Sequence, residues 1–240
     1  DHIFGLPGLL GSRSFLGGIE PVTIYGPKGI RDFVEMSLSI SQSHLKYDIH
    51  YVEFEDELYL DEGDFIIEAK LLDHGIPSYG YRIVEKDKPG SLMADELKKI
   101  GVKPGPIFKQ LKTGATIQLE DGTIINGADF LGPAKKGRVV TILGDTRPTQ
   151  VSVALARNAD LLIHEATFDK DAEDIAHQYF HSTTHQAARI AVQANVKKLC
   201  ITHISSRFEK GDLPFLEKQA QEIFPNTIIA EDFKKIEVKH

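Results

Sequence analysis

The residues able to do chemistry fall at recurring places along this chain. Asp1-His2 stand ahead of an apolar, glycine-rich run, His74 follows AKLLD, Asp145 follows VVTILG, and His203 follows KKLCIT. His164-Glu165 follow ADLLI, and His181 lies in YFHSTTH. Strand-like runs thus repeatedly deliver His or Asp at their C-terminal ends, where loops build sites in α/β folds. One such His reads as a satisfied residue capping a strand. Several together, with Asp145 inside GDTRP, point to a metal held by nitrogen and oxygen donors. The single cysteine, Cys200, rules out a cysteine-rich cluster. Histidine and aspartate suit zinc or manganese, and one carboxylate can bridge two ions through its two oxygens.

Eight short apolar runs predict the strands that would position these residues: 22–26, 49–54, 65–72, 79–85, 138–145, 159–166, 198–203 and 226–232. Helical patterns lie between several of them. Segment 27–41 has Pro27 near its start and Ile30, Phe33, Val34 and Leu38 on one stripe. Segment 147–159 follows Asp145, 182–196 opens with Ser/Thr capping residues, and 213–224 follows Gly211-Asp212. The second half alternates strand and helix and the first half is strand-rich. This predicts a layered α/β architecture and one domain over 1–240.

Apolar residues make up 41% and charged residues 26%, ordinary for a globular protein. No run approaches the length of a membrane span. A lone cysteine in the apolar run KKLCITH reads as a small buried hydrophobe in a reducing, intracellular compartment. A net charge of −7 argues against a protein that coats nucleic acid along its whole surface. The charge is unevenly spread. Between Glu85 and Lys112, seven lysines (86, 88, 98, 99, 103, 109, 112) face four acids (85, 87, 95, 96), a local excess of three positive charges. This stretch is polar and turn-rich, with Pro-Gly breaks and a helix too short to stand alone. It reads as an anion-binding appendage, projecting and mobile, with few apolar residues to pack.

In order along the chain, DHIFGLPGLLGSRSF, LLDHGIPSYGYR, LGDTRP, LIHEATF, HSTTHQAA and THISSRF resemble the successive motifs of ribonuclease Z, the tRNA 3′-processing endonucleases of the metallo-β-lactamase superfamily. The likeness runs from residue 1 to about residue 208. The opening Asp-His resembles the tail of the superfamily's His-x-His-x-Asp-His signature, so the resemblance implies two further histidines, and the first strands of the fold, ahead of Asp1. It implies an αββα sandwich lacking those N-terminal strands. It also implies two zinc ions per subunit: Asp1, His2, Asp145 and His203 would hold one, while His74 and a bridging Asp145 would join the two upstream histidines at the other. Asp1 would orient and deprotonate the attacking water, and His181 would protonate the leaving oxygen. Glu165 would orient an imidazole nearby, a role read from its place beside these motifs. The basic segment 86–112 resembles the family's flexible tRNA-binding arm, which implies RNA contacts for Lys98, Lys99, Lys103, Gly105, Pro106, Lys109 and Lys112; Arg207, close to His203, would grip a phosphate. The implied partner is precursor tRNA, bound by a cytoplasmic homodimer in which one subunit's arm serves the other's site. Two other readings stand beside this one: another metallo-β-lactamase-fold phosphodiesterase, and a non-catalytic RNA-binding fragment.

Overall fold

The computed structural model describes residues 2–239. Helix α1 (Gly5–Phe15), strand β1 (Val22–Pro27), helix α2 (Ile30–Ile40) and strand β2 (Ile49–Phe54) come first. Strands β3 (Glu57–Glu62), β4 (Phe65–Leu71) and β5 (Tyr79–Glu85) follow as an antiparallel meander. An insertion carries helices α3 (Ala94–Lys99) and α4 (Pro106–Lys112) and the hairpin β6 (Thr116–Gln118) and β7 (Ile124–Asn126). The chain then alternates: β8 (Val139–Leu143), α5 (Gln150–Ala156), β9 (Leu161–Glu165), α6 (Glu173–Gln178), α7 (Thr184–Gln193), β10 (Leu199–Thr202), α8 (Leu213–Gln221), β11 (Thr227–Ile229).

One seven-stranded sheet organises the molecule, in the order β11-β10-β9-β8-β5-β4-β3. β8 to β11 are parallel, because a helix returns the chain after each strand; β5 then joins β8 antiparallel. Leu155 and Ala156 of α5, Ala187, Ala188, Ile190 and Ala191 of α7, and Leu216 and Ala220 of α8 pack with Leu162, Leu199, Ile201 and Ile229 of the strands. The small side chains of α7 let its backbone lie close to the sheet. Its first turn is fixed by a capping box between Thr183 and Gln186. Gly80 of β5 is a glycine for space: a Cβ there would meet Leu143 at 2.7 Å and Leu155 at 2.8 Å. A second, two-stranded parallel sheet (β1, β2) packs with α1 and α2 around Leu10, Ile24, Ile30, Val34 and Tyr47.

Two expectations change, and two elements form where none was predicted. Pro27 ends β1 rather than opening a helix; α2 begins at Ile30, after Gly29 turns the chain with φ 94°. The glycine-rich run 5–15 is helical, and β3 forms in a charged stretch where Leu58 and Leu60 alternate with Glu57, Tyr59 and Asp61. The basic segment is not a loosely packed appendage ending at residue 112. Leu97, Val102, Leu111 and Ile125 are buried together, with Leu92, Ile107, Phe108, Ile117, Leu119 and Phe130 around them. The apolar residues beyond 112 close this core, so the unit extends toward β8. Two chains form its neck, paired at Lys88–Lys135 and Leu92–Leu131. There Gly137 passes so close to the Glu85 carbonyl that no Cβ fits. Glu85, buried at the neck, accepts from Arg138 Nε and from Lys88 Nζ at 2.7 Å. No helix among the described residues is long and apolar enough to cross a membrane.

Candidate metal and active site

Three loops that follow strands, the end of β9 and two segments that precede helices meet at the C-terminal ends of the central strands. His74 follows β4, Asp145 follows β8, Glu165 ends β9, His181 precedes α7, His203 follows β10, and His2 precedes α1. His2 Nε2 lies 3.0 Å from Asp145 Oδ2 and 3.1 Å from His203 Nε2. His203 Nε2 lies 3.4 Å from the same carboxylate oxygen. The ring of His181 is 5.1 Å from that of His74 and 5.3 Å from that of His203, centroid to centroid. Donor atoms of His2, Asp145 and His203 lie within 4.8 Å of one another, as do those of His74, Asp145 and His181. Asp145 belongs to both groups, and it is buried.

Two imidazole nitrogens at 3.1 Å, both facing a carboxylate oxygen, make a site that fits a shared cation. The donors are nitrogen and carboxylate oxygen with no sulfur, the set that zinc and similar divalent ions accept. The ligands His2, His74, Asp145 and His203 expected from the motifs are thus brought together. Asp1 lies outside the described residues.

The imidazoles are oriented from behind. The Thr167 hydroxyl donates to Glu165 Oε2 at 2.9 Å. Its single proton being used, the oxygen accepts from His203 Nδ1 at 2.8 Å, which leaves Nε2 of His203 facing Asp145. His74 Nδ1 donates to the Phe180 carbonyl at 2.9 Å. His203 itself has φ 55°, a left-handed conformation that the surrounding contacts must hold.

Glu165 is the buried centre of this arrangement. Its Oε1 accepts from the Thr146 and Ser182 amides and from His181 Nδ1, and its Oε2 from the amide and hydroxyl of Thr167. Burial pushes its pKa up, but the His181 contact and the other hydrogen bonds outweigh that and leave it lowered. His181 is the reciprocal case: burial pulls its pKa down, and the Glu165 contact raises it above the ordinary value. Burial lowers that of His203. The orienting role read for Glu165 therefore has a geometric basis. Thr167 is the residue sequence reasoning missed; LIHEATF carried it, but a threonine just past a strand signals nothing by itself.

The remaining candidates sort differently. His164, inside β9, is fully buried; its Nδ1 meets the Glu165 carbonyl at 2.7 Å and burial lowers its pKa. It does not join the donor groups. Arg207 stacks over Phe168 at 4.8 Å, and its Nε donates to Ser205; it has no acidic partner among the described residues. In the arm, Lys98, Lys99, Lys103, Gly105, Pro106, Lys109 and Lys112 are all exposed. Lys98 and Lys99 pair with Asp95 and Glu96 one turn away; Lys103, Lys109 and Lys112 have no ion pair among the described residues. Cys200 is buried.

No protein-family model matches the chain. It is 56% identical over 240 residues to Ribonuclease Z of Bacillus cereus (strain G9842), covering 100% of this chain and 78% of that protein. It is 56% identical over 239 residues to Ribonuclease Z of Bacillus anthracis, covering 99% of this chain and 78% of that protein. Among solved structures, the short form of human tRNase Z aligns with a TM-score of 0.65 at 27% identity, over 100% of this chain and 75% of that one. The metallo-β-lactamase fold protein YhfI from Bacillus subtilis aligns with a TM-score of 0.60 at 21% identity, over 96% and 70%.

Proposed function

This chain belongs to the ribonuclease Z family, and from that membership we propose how its own residues carry out the family's reaction. The protein is a metal-dependent endoribonuclease that processes tRNA 3′ ends. The convergence of His2, His74, His181 and His203 on Asp145 is the observation that carries the reading at the level of residues.

His2, Asp145 and His203 would hold one zinc, and His74 and Asp145 would contribute to a second. Asp1 stands next in sequence to His2 and orients the attacking water. Such ions supply Lewis acidity at the scissile phosphate and lower the pKa of a water molecule. His181 donates Nδ1–H to Glu165, and in the imidazolium form favoured by that carboxylate its Nε2 carries a second proton, the one needed by the leaving group. Water oxygen bonds to phosphorus as one of its protons passes to Asp1, the bond from phosphorus to the 3′ oxygen breaks, and that oxygen takes the His181 proton. The products are a tRNA 3′-hydroxyl and a trailer with a 5′-phosphate. Glu165, fully hydrogen-bonded, stays ionised and stabilises His181 in its protonated form.

The arm grips precursor tRNA through its backbone phosphates. Its exposed lysines support this, because phosphate contacts need positive charge and little sequence-specific geometry. A homodimer is part of the same reading, and the apolar groove lined by Phe4, Phe15, Leu16, Phe33 and Leu38 supports it; a cytoplasmic location follows from the lone buried cysteine alone. Cleavage of a precursor tRNA with a labelled trailer, followed by end-group analysis of both products, tests the reaction. A trailer with a 5′-hydroxyl would contradict the assignment.

A further inference from the structure

One guanidinium ties together three of the loops that build the site. Arg147 lies two residues after Asp145. Its Nε and Nη2 donate to the two oxygens of Asp73, each at 2.9 Å, and its amide donates to the Asp73 carbonyl at 2.9 Å. Its guanidinium carbon sits 4.2 Å from the centroid of the Phe180 ring. Asp73 immediately precedes His74, and Phe180 immediately precedes His181. The Phe180 carbonyl is the acceptor for His74 Nδ1, and Phe180 has φ 61°. A non-glycine residue keeps that conformation only when its surroundings hold it.

A histidine can present either ring nitrogen, and the choice follows from what the other one bonds. A proton fixed on Nδ1 of His74 by a carbonyl leaves Nε2 free of hydrogen for a cation. That carbonyl belongs to a left-handed residue whose side chain is covered by Arg147. The fork on Asp73 fixes the guanidinium plane, because a bidentate pair specifies orientation as well as distance. Lysine could match the charge but not the fork or the stacking surface.

We propose that Arg147 is a positioning residue: by gripping Asp73 and covering Phe180, it holds the Phe180 carbonyl against His74 and so sets which nitrogen His74 presents to the metal. The same contact seats His181, one residue further on, so the metal-facing and proton-donating histidines are placed by one brace. The proposal rests on the reading of His74 as a ligand, and the experiment separates the two.

Zinc affinity is measured by chelator competition for the unaltered protein, Arg147→Gln, Arg147→Lys, Phe180→Leu and His74→Ala. The tautomer of His74 is read from long-range proton–nitrogen spectra of the imidazoles. Arg147→Gln should weaken zinc binding by about 10- to 100-fold, the usual cost of losing a group that orients a ligand. It should also replace the single Nδ1-protonated form of His74 with a mixture. Arg147→Lys should recover part of the loss, and Phe180→Leu, which keeps the carbonyl but not the stacked ring, should lose less than Arg147→Gln. Should Arg147→Gln be poorly folded, Phe180→Leu decides alone. Unaltered affinity and tautomer in Arg147→Gln, or in Phe180→Leu if that variant must decide, would overturn the brace if His74→Ala still weakens zinc. Unaltered zinc binding in His74→Ala would overturn the ligand reading beneath it.

Discussion

At the C-terminal edge of the sheet, His2, His74, Asp145, Glu165, His181 and His203 arrive from six separate stretches of chain, and Asp145 and Glu165 are buried. In the arm, Lys98, Lys99, Lys103, Lys109 and Lys112 arrive from one stretch and all face water. At the site each polar group has specific partners: Glu165 alone accepts five hydrogen bonds. Removing one strands the others in a place without water to replace them. In the arm, charges act through a screened medium, and exposed pairs such as Lys98–Asp95 contribute little to stability. The site's residues therefore act as a unit, while the arm's act as a sum on a folded platform.

Breaking the unit gives the largest effects. His181→Ala should lower kcat by about 10²–10⁴-fold with little change in tRNA affinity, as measured by single-turnover cleavage and filter binding. A rise in KM alone would make His181 a binding residue.

Removing the platform comes next. Replacing 88–135 by a short turn should raise KM for precursor tRNA and flatten the salt dependence of binding by about one unit of slope for each phosphate no longer gripped. Hydrolysis of a small phosphodiester should survive, since that substrate never reaches the arm. Removing only 86–112 is a poorer experiment, because Ile117, Ile125 and Phe130 would lose the partners that bury them. Within the platform, Leu111→Ala should cost about 2–5 kcal/mol of the arm's own stability, read by local hydrogen exchange, while the helices over the central sheet keep their protection. Uniform loss of protection would mean that arm and body unfold as one.

A finer effect sits at the neck. Arg138 and Lys88 hold the Glu85 carboxyl down from 4.5 to about 2. A carboxyl whose folded value is depressed stabilises the fold above its unfolded value and loses that contribution as pH falls through the folded one. Thermal unfolding of the protein and of Glu85→Gln should therefore differ above about pH 4.5 and converge as pH approaches 2. Parallel curves over that range would place the clasp's contribution elsewhere. The smallest effect is expected from Lys98→Ala with Lys99→Ala, a modest loss of tRNA affinity that disappears at high salt.

The same contrast explains what the amino-acid sequence reveals. Strands β8, β9 and β10 are legible because parallel, buried strands need nearly unbroken apolar runs, and their terminal His and Asp stand out against them. Which of those residues converge is less so: His164 and Glu165 are neighbours in sequence, yet β-strand alternation sends His164 away from the site and Glu165 into it. The arm is recognisable by charge but reads as loose, because its core draws single apolar residues from short elements spread over 92–130. Pro27 misleads for a local reason. Proline suits a first helical turn, but here Gly29 provides the turn and Pro27 still pairs in register with Phe54. Thr167 and Arg147 act on side chains distant in sequence, which spacing does not encode.

The central claim is that one carboxylate, Asp145, serves both donor groups. It is tested most directly by titrating metal-stripped protein with zinc, for the unaltered chain and for Asp145→Asn, with the fold of each checked by circular dichroism. The unaltered protein should bind zinc, and a folded Asp145→Asn should lose it at both donor groups. Zinc held by a folded Asp145→Asn with unaltered affinity and stoichiometry would contradict it.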